Sequence, residues 1–236
     1  MKSLKTVVLG VIIIVSFIFV INELPKVFVS VKSSSQLAQV GGGATHYVRA
    51  GASGNGSDWA NAYGSLPSSL VRGDTYYIAD GTYSGYSFNT PASGTQYITI
   101  KKAIESDHGT NTGWQTDYGN GQALFNSMWQ ISTGYLIVDG QTRGSDWQSS
   151  YGFKISVSSG HAVRLTGTGT LSYLTLKYLD IQGGGIVSES TTGSAVYAHR
   201  DAAFDNLIVQ NCYTHGFWPD PFVIGGRNGH GNYITI

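Results

Sequence analysis

The chain has 236 residues and a formal net charge of zero, with 14 basic and 14 acidic side chains. This neutral balance, with only 12% charged residues, gives no electrostatic reason to expect nucleic acid as a partner. A single cysteine excludes an internal disulfide, and 32 glycines beside 5 prolines favour short strands and tight turns over long helices.

The first segment, residues 1–24, has the features of an export signal. Lys2 and Lys5 precede an uncharged apolar run over residues 7–21, which predicts a leader helix. The run is shorter than the roughly 20 residues that cross a bilayer comfortably, yet no Ala-x-Ala site follows it closely. A cleaved signal peptide and an uncleaved single membrane anchor both remain open, and either predicts an extracellular or cell-surface location.

Residues 25–45 contain the small polar runs Ser33–Ser35 and Gly41–Gly43. Such runs are typical of flexible linkers. We therefore predict a tether here, followed by one folded domain over residues 46–236. If the leader stays uncleaved, the tether would hold that domain beside a membrane.

A strand pattern recurs through the predicted domain. Apolar residues alternate in segments that begin at Tyr97, Tyr135 and Tyr173, spaced 38 residues apart, and related segments begin at Asn206 and Tyr233. Short segments with period-two alternation predict stacked coils, because each coil can bury its inner face only against the next. The fold class is therefore predicted to be all-β, a solenoid of parallel strands.

A further coil is predicted earlier in the chain. Residues 76–81 resemble residues 135–140, since both combine a Tyr, an aliphatic run and an Asp-Gly pair. Aligning the two segments by this likeness predicts that Tyr76 lies level with Tyr135 in the stack.

The longest repeated unit contains a bend. Its inward positions match between two copies: Leu174, Leu176, Leu179 and Ile181 correspond to Leu207, Val209, Cys212 and Thr214. The alternation shifts phase by one residue in the middle, which predicts two short strands joined at a corner. Cys212 is thus predicted to be a small buried hydrophobic residue and not a reactive thiol.

Residues 46–83 resemble the entry cap of the right-handed parallel β-helix proteins, the pectate-lyase-like superfamily. The resemblance rests on Tyr47-Val48, a Gly/Ser/Asn-rich loop through Asp58, Trp59-Ala60, a short helix-like stretch near 66–71 and the strand signals of 73–83. It implies a right-handed parallel β-helix with an N-terminal capping segment. Because the strand pattern still runs at Ile236, we expect the domain to be C-terminally incomplete.

The tripeptide Arg72-Gly73-Asp74 has two interpretations. As an adhesion motif it would be displayed to a receptor. As turn chemistry it would lead into the first strand, where Gly-Asp is ordinary. The second interpretation is favoured, because short motif matches arise readily by chance.

Two polar loops, residues 101–125 and 139–151, leave equivalent strands and should emerge on one side of the solenoid. Each carries a tryptophan, Trp114 and Trp147. Either these rings stack on a bound sugar, which predicts a substrate-binding wall, or each folds back over its own coil.

The most polar neighbourhood lies near the end of the sequence. His199, Arg200, Asp201 and His215 are the candidate catalytic residues there. The alternative is a solvated coil edge held by ion pairs. The resemblance implies that lyases of this superfamily use a basic residue beside a uronic carboxylate, often with Ca²⁺, while hydrolases need two carboxyl groups. Ca²⁺ is thus the candidate cofactor, although no residue pattern identifies ligands for a metal.

Two functional classes remain open. The first is an enzyme acting on extracellular polysaccharide, with a lyase of acidic glycans favoured over a hydrolase. The second is a non-catalytic cell-surface adhesion or glycan-binding protein. Polysaccharide is the expected partner in both, and because one fold hosts many functions, the fold does not choose between them.

Overall fold

The computed structural model describes residues 43–167, 169–185, 193–198, 202–218, 221–224 and the backbone of 231–235. These residues form an all-β structure with three parallel sheets. Within them the helical structure amounts to a single 3₁₀ turn at Thr116–Tyr118. None of the described segments forms a helix that could span a membrane. The predicted leader lies outside the described residues.

The strands are short, and each belongs to one sheet. The first sheet contains β1 (Thr45–Val48), β2 (Thr75–Ile78), β5 (Ile98–Lys102), β8 (Leu136–Asp139), β11 (Thr170–Lys177), β14 (Ala203–Gln210) and β17 (Gly231–Thr235). The second contains β3 (Gly81–Tyr83), β6 (Ala123–Phe125), β9 (Phe153–Ser156), β12 (Leu179–Gln182) and β15 (Tyr213–His215). The third contains β4 (Ser87–Phe88), β7 (Trp129–Ile131), β10 (Val163–Leu165), β13 (Val196–Ala198) and β16 (Phe222–Val223).

From β2 onward the chain visits the first, second and third sheets in turn and then returns to the first. Each returning strand pairs in parallel with the strand of the preceding coil. This is the topology of a solenoid of stacked coils. The prediction of an all-β parallel solenoid is confirmed at this level.

Apolar residues of the first sheet stack in register from coil to coil. One inward column contains Ile98, Leu136, Leu174 and Leu207, and the next contains Ile100, Val138, Leu176 and Val209. All eight side chains are buried. The columns are those predicted from the repeat, because alternation fixes which residues face inward once the strands are parallel.

The predicted alignment of residues 76–81 was wrong. Tyr76 pairs with Ile100, and Ile100 pairs with Val138, so Tyr76 does not lie level with Tyr135. Tyr76 is an inward residue that is 1% exposed, whereas Tyr135 lies outside the inward columns with φ 51°. Aligning the segments by residue type set Tyr76, which faces inward, level with Tyr135, which does not. A regular sheet does not allow this, because residues at the same level of paired strands face the same side.

The segment predicted to be a cap contains irregular structure between β1 and β2. Trp59 is fully buried against Tyr47, and Leu66 and Leu70 pack on the core. The short helix predicted near 66–71 was wrong, because these residues form an irregular loop. A side chain of the first coil holds this loop in place: the hydroxyl of Tyr86 donates a hydrogen bond to the carbonyl of Pro67.

The corner between the first and second sheets is built the same way in two successive coils. Tyr178 and Asn211 lie there with φ of 58° and 52°. After the corner, Asp180 pairs with Tyr213 and Ile181 with Thr214, as the repeated unit predicted. The left-handed corner residues reset the alternation, and this determines which side chains face outward on the second sheet.

Candidate functional site

The outer face of the second sheet collects polar and aromatic side chains from three successive coils. Strands β9, β12 and β15 pair in parallel, so outward residues form two columns across the coils. The first column is Lys154, Asp180 and Tyr213, and the second is Ser156, Gln182 and His215. We call these six residues the outer-face cluster.

Asp180 is the centre of the outer-face cluster. Its Oδ2 lies 3.0 Å from Nζ of Lys154, and its Oδ1 lies 2.9 Å from Nε2 of His215. Asp180 itself is 8% exposed. A carboxylate that binds an imidazole fixes the orientation of the ring, and such pairing is how proteins prepare a histidine for proton transfer.

An aromatic stack adjoins this charged group. The ring of Tyr213 stacks on His215 with centroids 4.5 Å apart and planes 14° apart. Trp147 approaches Tyr213 edge-on, at 5.4 Å and 89°. Trp147 is nevertheless 55% exposed, so the protein contact uses only part of the indole. The remaining surface is free to meet a ligand.

The loop over residues 140–151 holds Trp147 in an unusual conformation. Gln141, Trp147 and Ser150 all have positive φ, at 66°, 42° and 59°. Such angles are rare for non-glycine residues, above all for bulky ones, and strain of this kind concentrates at functional sites. The hydroxyl of Tyr151 donates to the carbonyl of Trp147 at 2.6 Å, which secures the strained turn.

A cleft of about 600 Å³ opens at the carboxyl ends of the same strands. Its polar side chains come from Asn126, Ser156, Ser158, Gln182 and His215, and the glycine run of residues 183–185 also lines it. Hydroxyl, amide and imidazole groups around a shallow space are the kind of lining that recognises a polyol.

The predicted site residues have different outcomes. His215 belongs to the outer-face cluster, and Trp147 contacts its neighbour Tyr213. His199, Arg200 and Asp201 lie outside the described residues.

Trp114 is half-buried and occupied by protein contacts. Its ring stacks on His108 at 4.0 Å and packs 5.1 Å from Trp59, while its Nε1 donates to Glu105. This corresponds to the alternative in which the tryptophan folds back over its own coil. Trp114 therefore acts as a packing residue of the capping region, in contrast to the exposed Trp147.

Sequence reasoning missed Lys154, Asp180 and Tyr213. Each is an isolated polar or aromatic residue within a four- or three-residue strand. The available signal was the repeated unit, which already set Asp180 level with Tyr213. Extending the same alignment one coil earlier would have brought Lys154 beside them.

A second polar network occupies the outer face of the first sheet. Lys101 and the hydroxyl of Tyr77 both bind the carboxylate of Asp107. Burial opposes ionisation of Asp107, but these hydrogen bonds and the charge of Lys101 outweigh it and lower the pKa of the carboxyl. Burial, together with the bond to Asp107, raises the pKa of Tyr77. This network is internally satisfied, so it offers a ligand less than the outer-face cluster does.

The described part of the chain brings together no three His, Cys, Asp or Glu side chains in an arrangement that could hold a metal ion. No family model, no curated protein and no solved structure matches the chain.

Proposed function

We propose that this chain is an exported, right-handed parallel β-helix protein of the pectate-lyase-like type that binds extracellular polysaccharide. The observation that carries the proposal is the exposed Trp147, held by a strained loop beside Tyr213 and the outer-face cluster. Sugar C–H faces stack on aromatic rings, and oriented polar groups nearby bind the hydroxyls.

Acidic glycans are the favoured class of ligand. Lys154 and His215 are half-exposed beside the aromatic stack, and the exposed Arg143 stands on the loop that carries Trp147. Among the described residues the guanidinium of Arg143 bonds to the amide oxygen of Asn211, at 3.3 Å, and to no carboxylate. A cation in this position is available to the carboxylate of a uronic sugar.

The leader supports a location outside the cell. Lys2, Lys5 and the apolar run over residues 7–21 are typical of export segments. Cleavage would release the domain, while retention would anchor it at the cell surface through one membrane helix.

Replacing Trp147 by Ala tests the proposal. We expect several-fold weaker retardation in affinity electrophoresis through gels that contain soluble polysaccharides, equivalent to about 1 kcal/mol for a lost stacking contact. The matched control is Tyr173→Ala, because Tyr173 is also an exposed aromatic residue with positive φ, at 56°. The control should migrate as the wild type does.

Thermal unfolding of both variants separates binding from folding. If Trp147→Ala binds every polysaccharide as tightly as the wild type, the stacking role of Trp147 is refuted. If it unfolds at a much lower temperature than Tyr173→Ala does, Trp147 is a packing residue, and a non-catalytic spacer becomes the better account of the chain.

A lyase activity is the second candidate function. It is favoured by the pairing of His215 with Asp180 and by the stacking of His215 on Tyr213, since both residue types serve as bases in proton abstraction. A hydrolase would need two carboxyl groups, and the outer-face cluster contains only Asp180.

The lyase reaction has a direct readout. Elimination leaves an unsaturated sugar, so incubation with a uronate polysaccharide should raise the ultraviolet absorbance, and His215→Ala should abolish that rise. The glycan-binding variant for comparison is Trp147→Ala, which should slow the reaction mainly at low substrate concentration. An unchanged absorbance with every acidic glycan would leave the protein as a non-catalytic binder.

A further inference from the structure

A second cleft lies at the opposite end of the second sheet. It has a volume of about 430 Å³ and separates the loop that ends before β6 from the loop of residues 140–151. Its side chains come from Asn120, Gln122, Thr142, Ser150 and Tyr151. We call it the inter-loop cleft. The first cleft and the inter-loop cleft therefore flank one sheet face, at the carboxyl and amino ends of its strands.

The described residues that line the inter-loop cleft include no charged side chain. Gln122 donates through Nε2 to the carbonyl of Tyr151 at 2.9 Å, which fixes its amide. In the part of the chain that the structure describes, the amide of Asn120 and the hydroxyl of Thr142 bond to no protein group. Gly119 and Gly121, on either side of Asn120, also line the cleft. The lining is thus polar, neutral and partly unpaired.

A buried charged pair, Asp80 and Lys102, lies next to this cleft. Asp80 accepts a hydrogen bond from the backbone N–H of Gly121 at 2.5 Å, and its other oxygen lies 2.6 Å from Nζ of Lys102. Lys102 is fully buried and also donates to backbone carbonyls, including that of Ala103. Lys102 is buried and held next to Asp80, so this pair presents no accessible cation to a ligand.

Tyr151 connects the inter-loop cleft to the proposed glycan site. Its ring is 2% exposed and lies parallel to that of Tyr213, at 6.4 Å, and its hydroxyl bonds to the carbonyl of Trp147. The loop that presents Trp147 is therefore also a wall of this cleft. A four-residue strand between the two clefts spans about 13 Å, which suits a short oligosaccharide.

We infer that the inter-loop cleft binds a neutral hexose unit, and that the glycan crosses the second sheet along its strands. The neutral unit occupies the inter-loop cleft, and the acidic unit lies near Lys154 and His215. This inference rests on the proposed function and adds to it a ligand of mixed character, partly neutral and partly acidic. Amides and hydroxyls recognise neutral sugars because each can donate and accept hydrogen bonds to a ring hydroxyl.

The double variant Asn120→Ala/Thr142→Val tests the inference. Affinity electrophoresis would use a galactan, a glucomannan and a glucan as neutral probes, and polygalacturonate and alginate as acidic ones. We expect the wild type to bind at least one neutral probe, and the double variant to bind it several-fold more weakly while binding the acidic probes almost unchanged. The melting temperature should stay the same, because the two side chains bond to no described protein group.

The control is Asn89→Ala, which removes an exposed amide just after β4 on the third sheet. It should behave as the wild type with all probes. Failure of the wild type to bind any neutral probe overturns the inference, as does undiminished neutral binding by the double variant. Either failure is distinct from that of the proposed function, which Trp147→Ala decides on the acidic probes.

Discussion

Single residues show which sequence motifs are structural. The guanidinium of Arg72 donates to the carbonyls of Pro91, Gly134 and Tyr135 at 2.9–3.0 Å, and burial lowers its pKa. Such a side chain ties the first coil to a later one and is not displayed to a receptor. The Arg-Gly-Asp tripeptide at residues 72–74 is therefore an anchoring turn, which agrees with the interpretation favoured from sequence.

The environment of Cys212 predicts how reactive its thiol is in the folded protein. Its position is equivalent to that of the inward Leu179, but Cys212 is only partly buried where it packs against the core. Burial of the thiol raises its pKa to about 12. Because the thiolate is the reactive form, we expect the native protein to react very slowly with a disulfide reagent at neutral pH. In denaturant the same thiol should react much faster, because it is exposed and its pKa returns to about 8.5. Rapid stoichiometric labelling of the folded protein would show that the side chain faces solvent.

Among the structural elements, the loop that follows β5 contributes a pH-dependent term to stability. The fold lowers the pKa of Asp107 through Lys101 and Tyr77, against the opposing effect of burial. A carboxyl whose pKa is lower in the folded state stabilises the protein fully above its ordinary pKa near 4, and that stabilisation is lost as the pH falls through the folded value.

Asp107→Asn should therefore be less stable than the wild type at neutral pH and approach it below about pH 4. Denaturant unfolding at a series of pH values measures the difference. Asp58→Asn is a parallel test and should show the same direction of pH dependence, since the pKa of Asp58 is also lowered, here by its bonds to Asn61. A constant gap between wild type and Asp107→Asn across the acid range would contradict the assigned role.

Elements differ in how far the sequence predicts them. Strands of the first sheet have four to eight residues in most coils, which is enough for alternation to be visible. Strands such as β4 and β16 have two residues, too few to carry a period. Motif similarity then misled the alignment of residues 76–81, because it compared residue types without checking which ones face inward. The prediction of a short helix near 66–71 was wrong because contacts with later residues determine the shape of this loop.

At the scale of the whole molecule, the site is predictable only once the stacking is known. His215 and Trp147 were identified as polar and aromatic residues in the right neighbourhoods, but Asp180 joins residues from coils before and after its own. The distance from Lys154 to His215 is 61 residues along the chain but only roughly 10 Å across the two coil steps from β9 to β15. No local sequence pattern reveals this proximity. It arises from the regular return of each strand to its neighbour.

The sharing of Asp180 between Lys154 and His215 has a consequence for how such a chain can change in length. A solenoid tolerates the gain or loss of whole coils, since each added coil repeats the interface that it interrupts. Between β9 and β15 a coil cannot be added without consequence, because it would move Asp180 about 4.8 Å further from Lys154 or from His215. The ion pair that crosses the inserted coil could then not form, and Asp180 would keep only one of its two partners. We therefore expect an added coil to be tolerated outside β9–β15 and to disrupt the outer-face cluster within it.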